Sequence, residues 1–202
     1  VDVFNDRGKS QKNIKGELVC KNPFPSMPLK FWKDKNDIKF KKAYFNRFKN
    51  TWHHGDYAEI KMTGGFVIHG RSDTTLNPGG VRMGTAEIYS EVEKFKEINE
   101  SLVVGQAWNN DIRIVLFVVM NKKYSFTEKL SLKLKLKIRK NTSPRHVPSK
   151  IIVVNDIPRT KSGKIVELAV KNIIDGNKVK NKEALANPEV LKYFKNLKEL
   201  EY

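Results

Sequence analysis

Lys164 stands in "TKSGK", residues 160–164, a run of small and charged residues between an apolar stretch and an amphipathic one. Such a loop leaves a lysine ammonium exposed and mobile, free either to meet an anionic substrate or to sit in water. A second group, Asp56, Arg71, Asp73 and Arg82, falls in turns around one hairpin and one helix start. Loop charges of this kind are commoner at binding sites than in cores. A carboxylate can hold a sugar diol, and a guanidinium fork suits phosphates and hydroxyls. Arg71 and Asp73 lie two residues apart, just before the Pro-Gly-Gly of residues 78–80. They read as a polar surface turn or as a hinge beside a ligand.

Other chemistries fit less well. "SGK" resembles the end of a phosphate-binding P-loop, but that motif needs Gly at 158 and Ser or Thr at 165, where the chain has Pro158 and Ile165. His53, His54, His69 and His146 lack metal-ligand spacing, so no metal site is expected. No Gly-x-Ser-x-Gly elbow is present to support a serine nucleophile.

The elements that must position these residues can be read from pattern. "GELVC" (16–20) predicts a short strand after a polar loop over 1–15, and "NPFPSMP" stops it. "YAEIKMTGGFVIHG" predicts a β-hairpin around Thr63-Gly64-Gly65. Ala86, Ile88, Val92 and Phe95 follow helical spacing, with Thr85 as N-cap. "SLVVGQAW", "DIRIVLFVVM" and "KIIVVND" predict strands. "LSLKLKLKIRK" (130–140) is two-sided. Its leucines alternate as in a strand, whereas Ser125 with Glu128 forms a capping-box pattern and Leu130, Leu134 and Ile138 fit one helical face. "IVELAVKNII" predicts a helix closed by Gly176, and Asn187-Pro188 opens a short last one.

The chain has 202 residues, one cysteine and a formal net charge of +17. Residues 1–72 carry 15 Lys/Arg against 7 Asp/Glu, and residues 73–202 carry 24 against 15. An excess spread over both parts suits a solvated basic surface better than a phosphate-backbone track, so no nucleic-acid partner is expected. No apolar run nears the roughly 20 residues that span a bilayer, so no membrane span is expected. With Cys20 alone, no internal disulfide framework can form, and a cytoplasmic location is expected.

The order and spacing of "HGDYAEI", "GRSDTTLNPGGVRMGTAEIYSEVE" and "DIPRTKSGKI" resemble the late motifs of the acyl-adenylate-forming ligase superfamily. The segments "GELVCKNPFPSMPLKFW", "KAYFNRF", "SPRHVP", "VELAVKNII" and "ANPEVLKYF" resemble its acetoacetate-activating branch. The resemblance covers essentially the whole chain but only the C-terminal third of such an enzyme. The ATP phosphate loop, the adenine motif and the acyl pocket lie upstream in that family.

This resemblance implies an α+β fold: a small mobile C-terminal domain, a sheet with flanking helices, preceded by a mostly β end piece with barrel-like hairpins. Residues 1–72 would end the large domain, Asp73 would be the hinge, and 74–202 would be the mobile domain. It implies ATP with Mg2+, and coenzyme A as co-substrate, acting on acetoacetate, with the upstream domain as partner. Asp56 would hold the ribose hydroxyls and Arg71 would add to that grip. Gly79 and Gly80 would line the channel for CoA's pantetheine arm. Arg82 would act in the thioester-forming state, and Arg139 would meet the CoA phosphates, which requires a helix over 130–138. Lys164 would be the catalytic lysine of adenylation. The chain departs from many relatives at Thr74, where a second acidic residue is usual. It departs from acetyl-CoA synthetases at Glu167, where they tend to carry arginine; an acetyl- or propionyl-activating ligase is the nearest alternative, and a basic binding module the remote one.

Overall fold

The structure is a computed structural model and describes residues 1–179 and 181–201. The chain divides into two compact units, Val1–Asp73 and Thr74–Tyr202.

The first unit is built on an antiparallel sheet in the order β1 (Asp2–Phe4), β2 (Gly16–Cys20), β3 (Trp52–Ile60) and β4 (Phe66–Arg71). The strands run in sequence order, and within the loop expected over 1–15 only Asp2–Phe4 is a strand. Asp2, Val3 and Phe4 pair with Val19, Leu18 and Glu17, a partner three residues cannot reveal by pattern. Thr63-Gly64-Gly65 does turn β3 into β4, with Gly64 at φ +87°. A bulge between Tyr57 and Ala58 shifts the pairing, so that Asp56 faces Arg71 while Ala58 faces Ile68. Val3, Ala58 and Ile60 form the small core under this sheet. Trp52 stacks on Tyr44 of helix α1 (Ile38–Tyr44), the ring centroids 3.7 Å apart.

The second unit has helices on both faces of a three-stranded sheet in the order β5 (Ile98–Trp108), β6 (Asp111–Met120) and β7 (Lys150–Val153). Asn109 and Asn110, both with positive φ, make the two-residue turn that fits the right-handed twist of a hairpin. β6 reads as an unbroken apolar run because both of its faces are covered. Ile114, Leu116 and Val118 pack with α2 (Ala86–Val92) and α3 (Glu128–Asn141). Val115 and Phe117 pack with Ile157, Val170 of α4 (Glu167–Ile174), Val190 and Phe194.

Residues 128–141 form a helix despite the alternating leucines. Leu130, Leu134 and Ile138 are buried, while Leu132 and Leu136 remain 59% and 56% exposed. Its cap is Thr127, whose side chain accepts from the Leu130 amide, in place of the expected Ser125. Thr85 precedes α2 but makes no side-chain cap bond. The last expected helix is a 3-10 helix over Pro188–Phe194. Among the described residues no helix is long and apolar enough to cross a membrane.

Candidate functional site

Asp56, Arg71 and Asp73 form one row in the first unit. β-sheet register sets Asp56 opposite Arg71. The guanidinium lies between two carboxylates, with Nη1 3.4 Å from Asp56 Oδ1 and Nε 3.5 Å from Asp73 Oδ1. The imidazole of His54 takes the other Asp56 oxygen. Gly55 has φ +86°, and a Cβ there would lie 3.0 Å from Arg71 Nη2, so the guanidinium packs where a side chain would be. The Ser72 amide donates to the Gly55 carbonyl at 2.9 Å, tying the end of β4 to this turn.

Behind the row is a residue that sequence reasoning missed. Glu17 is fully buried, accepts from the Ser72 hydroxyl, and has His53 Nε2 at 2.8 Å and Arg47 at 3.2 Å. No pattern in "GELVC" marks this glutamate, since its partners come from positions 47, 53 and 72.

The remaining predicted residues belong to the second unit. Gly79 and Gly80 sit in a short 3-10 turn with φ +57° and +75°. Among the described residues, chain neighbours aside, a Cβ on either would meet no atom within 4 Å, so the glycine requirement visible here is the left-handed backbone. The Gly79 amide donates to both carboxylate oxygens of Asp111, at 2.9 and 3.0 Å, at the start of β6. Paired backbone bonds between Leu76 and Met83 close the base of this loop. Arg82 Nε donates to Thr75 Oγ1 at 3.1 Å. Arg139 is exposed in the last turn of α3.

Lys164 ends a turn closed by three bonds. Thr160 N donates to Lys164 O at 2.8 Å, Gly163 N to Thr160 O at 2.8 Å, and Lys164 N to Thr160 Oγ1 at 3.1 Å. Its side chain is exposed. Arg159 and Ile165 pair across the base of the turn. Beyond it, Glu167 opens α4 and accepts from the Tyr89 hydroxyl, which in turn accepts from the Val103 amide at 3.0 Å. Burial, followed by the Glu167 carboxylate, pushes the Tyr89 phenol well above its ordinary pKa, so it stays a donor.

The turn of Lys164 and the turn of Gly79-Gly80 are not together. Arg159 anchors the first to Glu100, which pairs with Val119, whereas Asp111 anchors the second. Eight steps along β6 separate these anchors, about 26 Å at roughly 3.3 Å per residue. Two chemically equipped turns thus occupy opposite ends of one hairpin.

Residues 87–164, which run from α2 to the lysine itself, match the AMP-binding enzyme C-terminal domain family. Over 200 residues, 99% of the chain, the sequence is 60% identical to an acetoacetyl-coenzyme A synthetase of Rhizobium meliloti (strain 1021). It is 47% identical, over its whole length, to an acetoacetyl-CoA synthetase of Gallus gallus. A solved acetoacetyl-CoA synthetase from Streptomyces lividans superposes with a TM-score of 0.89 at 38% identity, covering 96% of this chain and 29% of that one. The chain spans 31% of the length of the first relative and 30% of the second. The mixed helix-and-sheet architecture therefore matches that of the C-terminal part of an acyl-adenylate-forming ligase.

Proposed function

We propose that this chain is the C-terminal working part of a cytoplasmic acetoacetate–CoA ligase. The 60% identity to a protein of that name across 99% of the chain supports the choice of substrate. So does Glu167, which fills the position where acetyl-CoA synthetases tend to carry arginine and is bonded to Tyr89.

In the first half-reaction a carboxylate oxygen of acetoacetate attacks the α-phosphorus of ATP. The bond to the bridging oxygen breaks and pyrophosphate leaves with the electron pair. Two anions must approach while negative charge grows on the leaving group. The Lys164 ammonium offsets that repulsion, a contribution that often amounts to about 10²–10³-fold in rate. Asp56 accepts from the ribose hydroxyls, and Arg71 orients that carboxylate and adds donors of its own. In the second half-reaction the CoA sulfur attacks the acyl carbon, the thiol proton is released, and AMP leaves. Gly79 and Gly80 line the path of the thiol arm, Arg82 serves this state, and Arg139 meets the CoA phosphates.

The observation that carries this account is the separation of the two turns along β6. The separation supports a domain that turns about Asp73 between half-reactions, presenting one turn at a time to the reaction centre. Magnesium would arrive with ATP. Among the described residues no group of three or more His, Cys, Asp or Glu side chains is placed to hold a metal, and no step here runs through one. The ATP phosphate loop and acyl pocket would come from the upstream domain.

The test is acid-dependent ATP–pyrophosphate exchange by the ligase that contains this chain. Acetoacetate is expected to drive exchange more strongly than acetate or propionate. A preference for acetate would move the chain to the acetyl-activating branch, and exchange by the 202-residue chain alone would overturn the division of labour.

A further inference from the structure

We propose that Arg159 is the positioning residue for Lys164, an inference that rests on the adenylation role given to Lys164 above. The exposed ammonium of Lys164 has no partner among the described residues, so its place is decided by the backbone that carries it. The bonds within residues 160–164 fix the shape of that turn, but they do not fix where it stands on the domain.

Arg159 supplies that second constraint. One arm of its guanidinium, Nη2, lies 2.8 Å from Glu100 Oε1 on β5. The other arm, Nη1, donates to the carbonyl of Gly163 at 3.0 Å, immediately before the lysine. The backbone of the same residue is held from the opposite side. Its amide donates to Asn187 Oδ1 at 2.9 Å, and its carbonyl accepts from Ala186 N at 2.8 Å. One residue therefore ties the turn to the sheet and to the C-terminal segment together.

Arginine is needed because its planar fork reaches a carboxylate and a carbonyl through separate nitrogens, whereas a lysine ammonium has one centre for both. Glu100 and Arg159 are both about 30% exposed, so the pair adds little to global stability and its effect is local. A pocket of about 360 Å³ lies beside the base of the turn, lined by Tyr89, Val92, Glu100, Arg159 and Ile165. The Tyr89–Glu167 bond holds the far side of the turn at α4. On the C-terminal side the Lys161 amide donates to the Ala184 carbonyl at 3.2 Å, and on the sheet side the guanidinium is the link to Glu100.

A displacement of about 1 Å costs on the order of 10²-fold when a group must meet a transition state. In the complete ligase, Arg159→Ala is expected to lower kcat for acetoacetate-dependent pyrophosphate exchange about 10–100-fold, leaving KM for ATP unchanged. Transfer from supplied acetoacetyl-AMP to CoA should stay at the wild-type rate, which also reports that the domain is folded. Arg159→Lys should recover part of the loss by keeping the Glu100 pair. In the 202-residue chain, Arg159→Ala should speed hydrogen exchange at the Lys164 amide, a readout independent of catalysis. Wild-type exchange rates in Arg159→Ala, or a parallel fall of both half-reactions, would overturn the proposal. A wild-type ligase without pyrophosphate exchange would remove the adenylation role of Lys164 and this role with it.

Discussion

Asp56 and Arg71 face each other directly across β3 and β4, with Arg71 Nη1 3.4 Å from Asp56 Oδ1. The bulge at Tyr57–Ala58 and the bare α-carbon of Gly55 set this pairing, since a side chain at 55 would push into the guanidinium. The carboxylate is thus oriented before any ligand arrives, and the Arg71 fork spans it and Asp73.

Preorganisation of Asp56 leads to a first expectation. Asp56→Ala in the complete ligase removes a charged acceptor, and hydrogen bonds to charged groups contribute about 1.5–3 kcal/mol. KM for ATP should rise about 10- to 100-fold, read from pyrophosphate exchange at varied ATP. An unchanged KM would place the ribose elsewhere.

The left-handed glycines give a second. At φ +57°, Gly79→Ala costs roughly 1–2 kcal/mol of local strain and disturbs the amide that Asp111 holds. Transfer of the acetoacetyl group from supplied acyl-AMP to CoA should slow, while pyrophosphate exchange persists. A matched loss in both assays would argue that the loop serves the fold rather than one half-reaction.

The third concerns α3. Leu134 is fully buried in the cluster with Ile88 and Leu116, whereas Leu132 is 59% exposed. Leu134→Ala should cost about 2–5 kcal/mol in denaturant unfolding, and Leu132→Ala within about 0.5 kcal/mol. Equal costs would fit a strand with the four leucines and Ile138 on one face, and would contradict the helix.

That helix shows how far the sequence can be read. Alternation at Leu130, Leu132, Leu134, Leu136 and Ile138 favours a strand, whereas the capping-box pattern, the Leu130-Leu134-Ile138 face and the family register favour a helix. The structure resolves it because Leu130, Leu134 and Ile138 share the face that β6 needs covered. Strands with strong local signals, such as "DIRIVLFVVM", were legible for the same reason that they are buried: both faces demand apolar residues. β1 was not, since three residues gain strand character only from their partner β2.

The candidate site was legible as single residues, not as pairs. Motif positions named Asp56, Arg71 and Lys164, but the partners that fix them lie far along the chain. Glu17 meets Ser72 across 55 positions, and Arg159 meets Glu100 across 59. Such contacts depend on sheet register and on which turn folds back, and neither is written in local spacing.

The most direct measurement is on Lys164→Ala in the complete ligase, with the two half-reactions assayed separately. Pyrophosphate exchange with acetoacetate should fall at least about 10²-fold, while CoA transfer from supplied acetoacetyl-AMP keeps its wild-type rate. Loss of both reactions to the same degree, or wild-type exchange, would contradict the account in which one domain presents Lys164 first and the Gly79-Gly80 turn second.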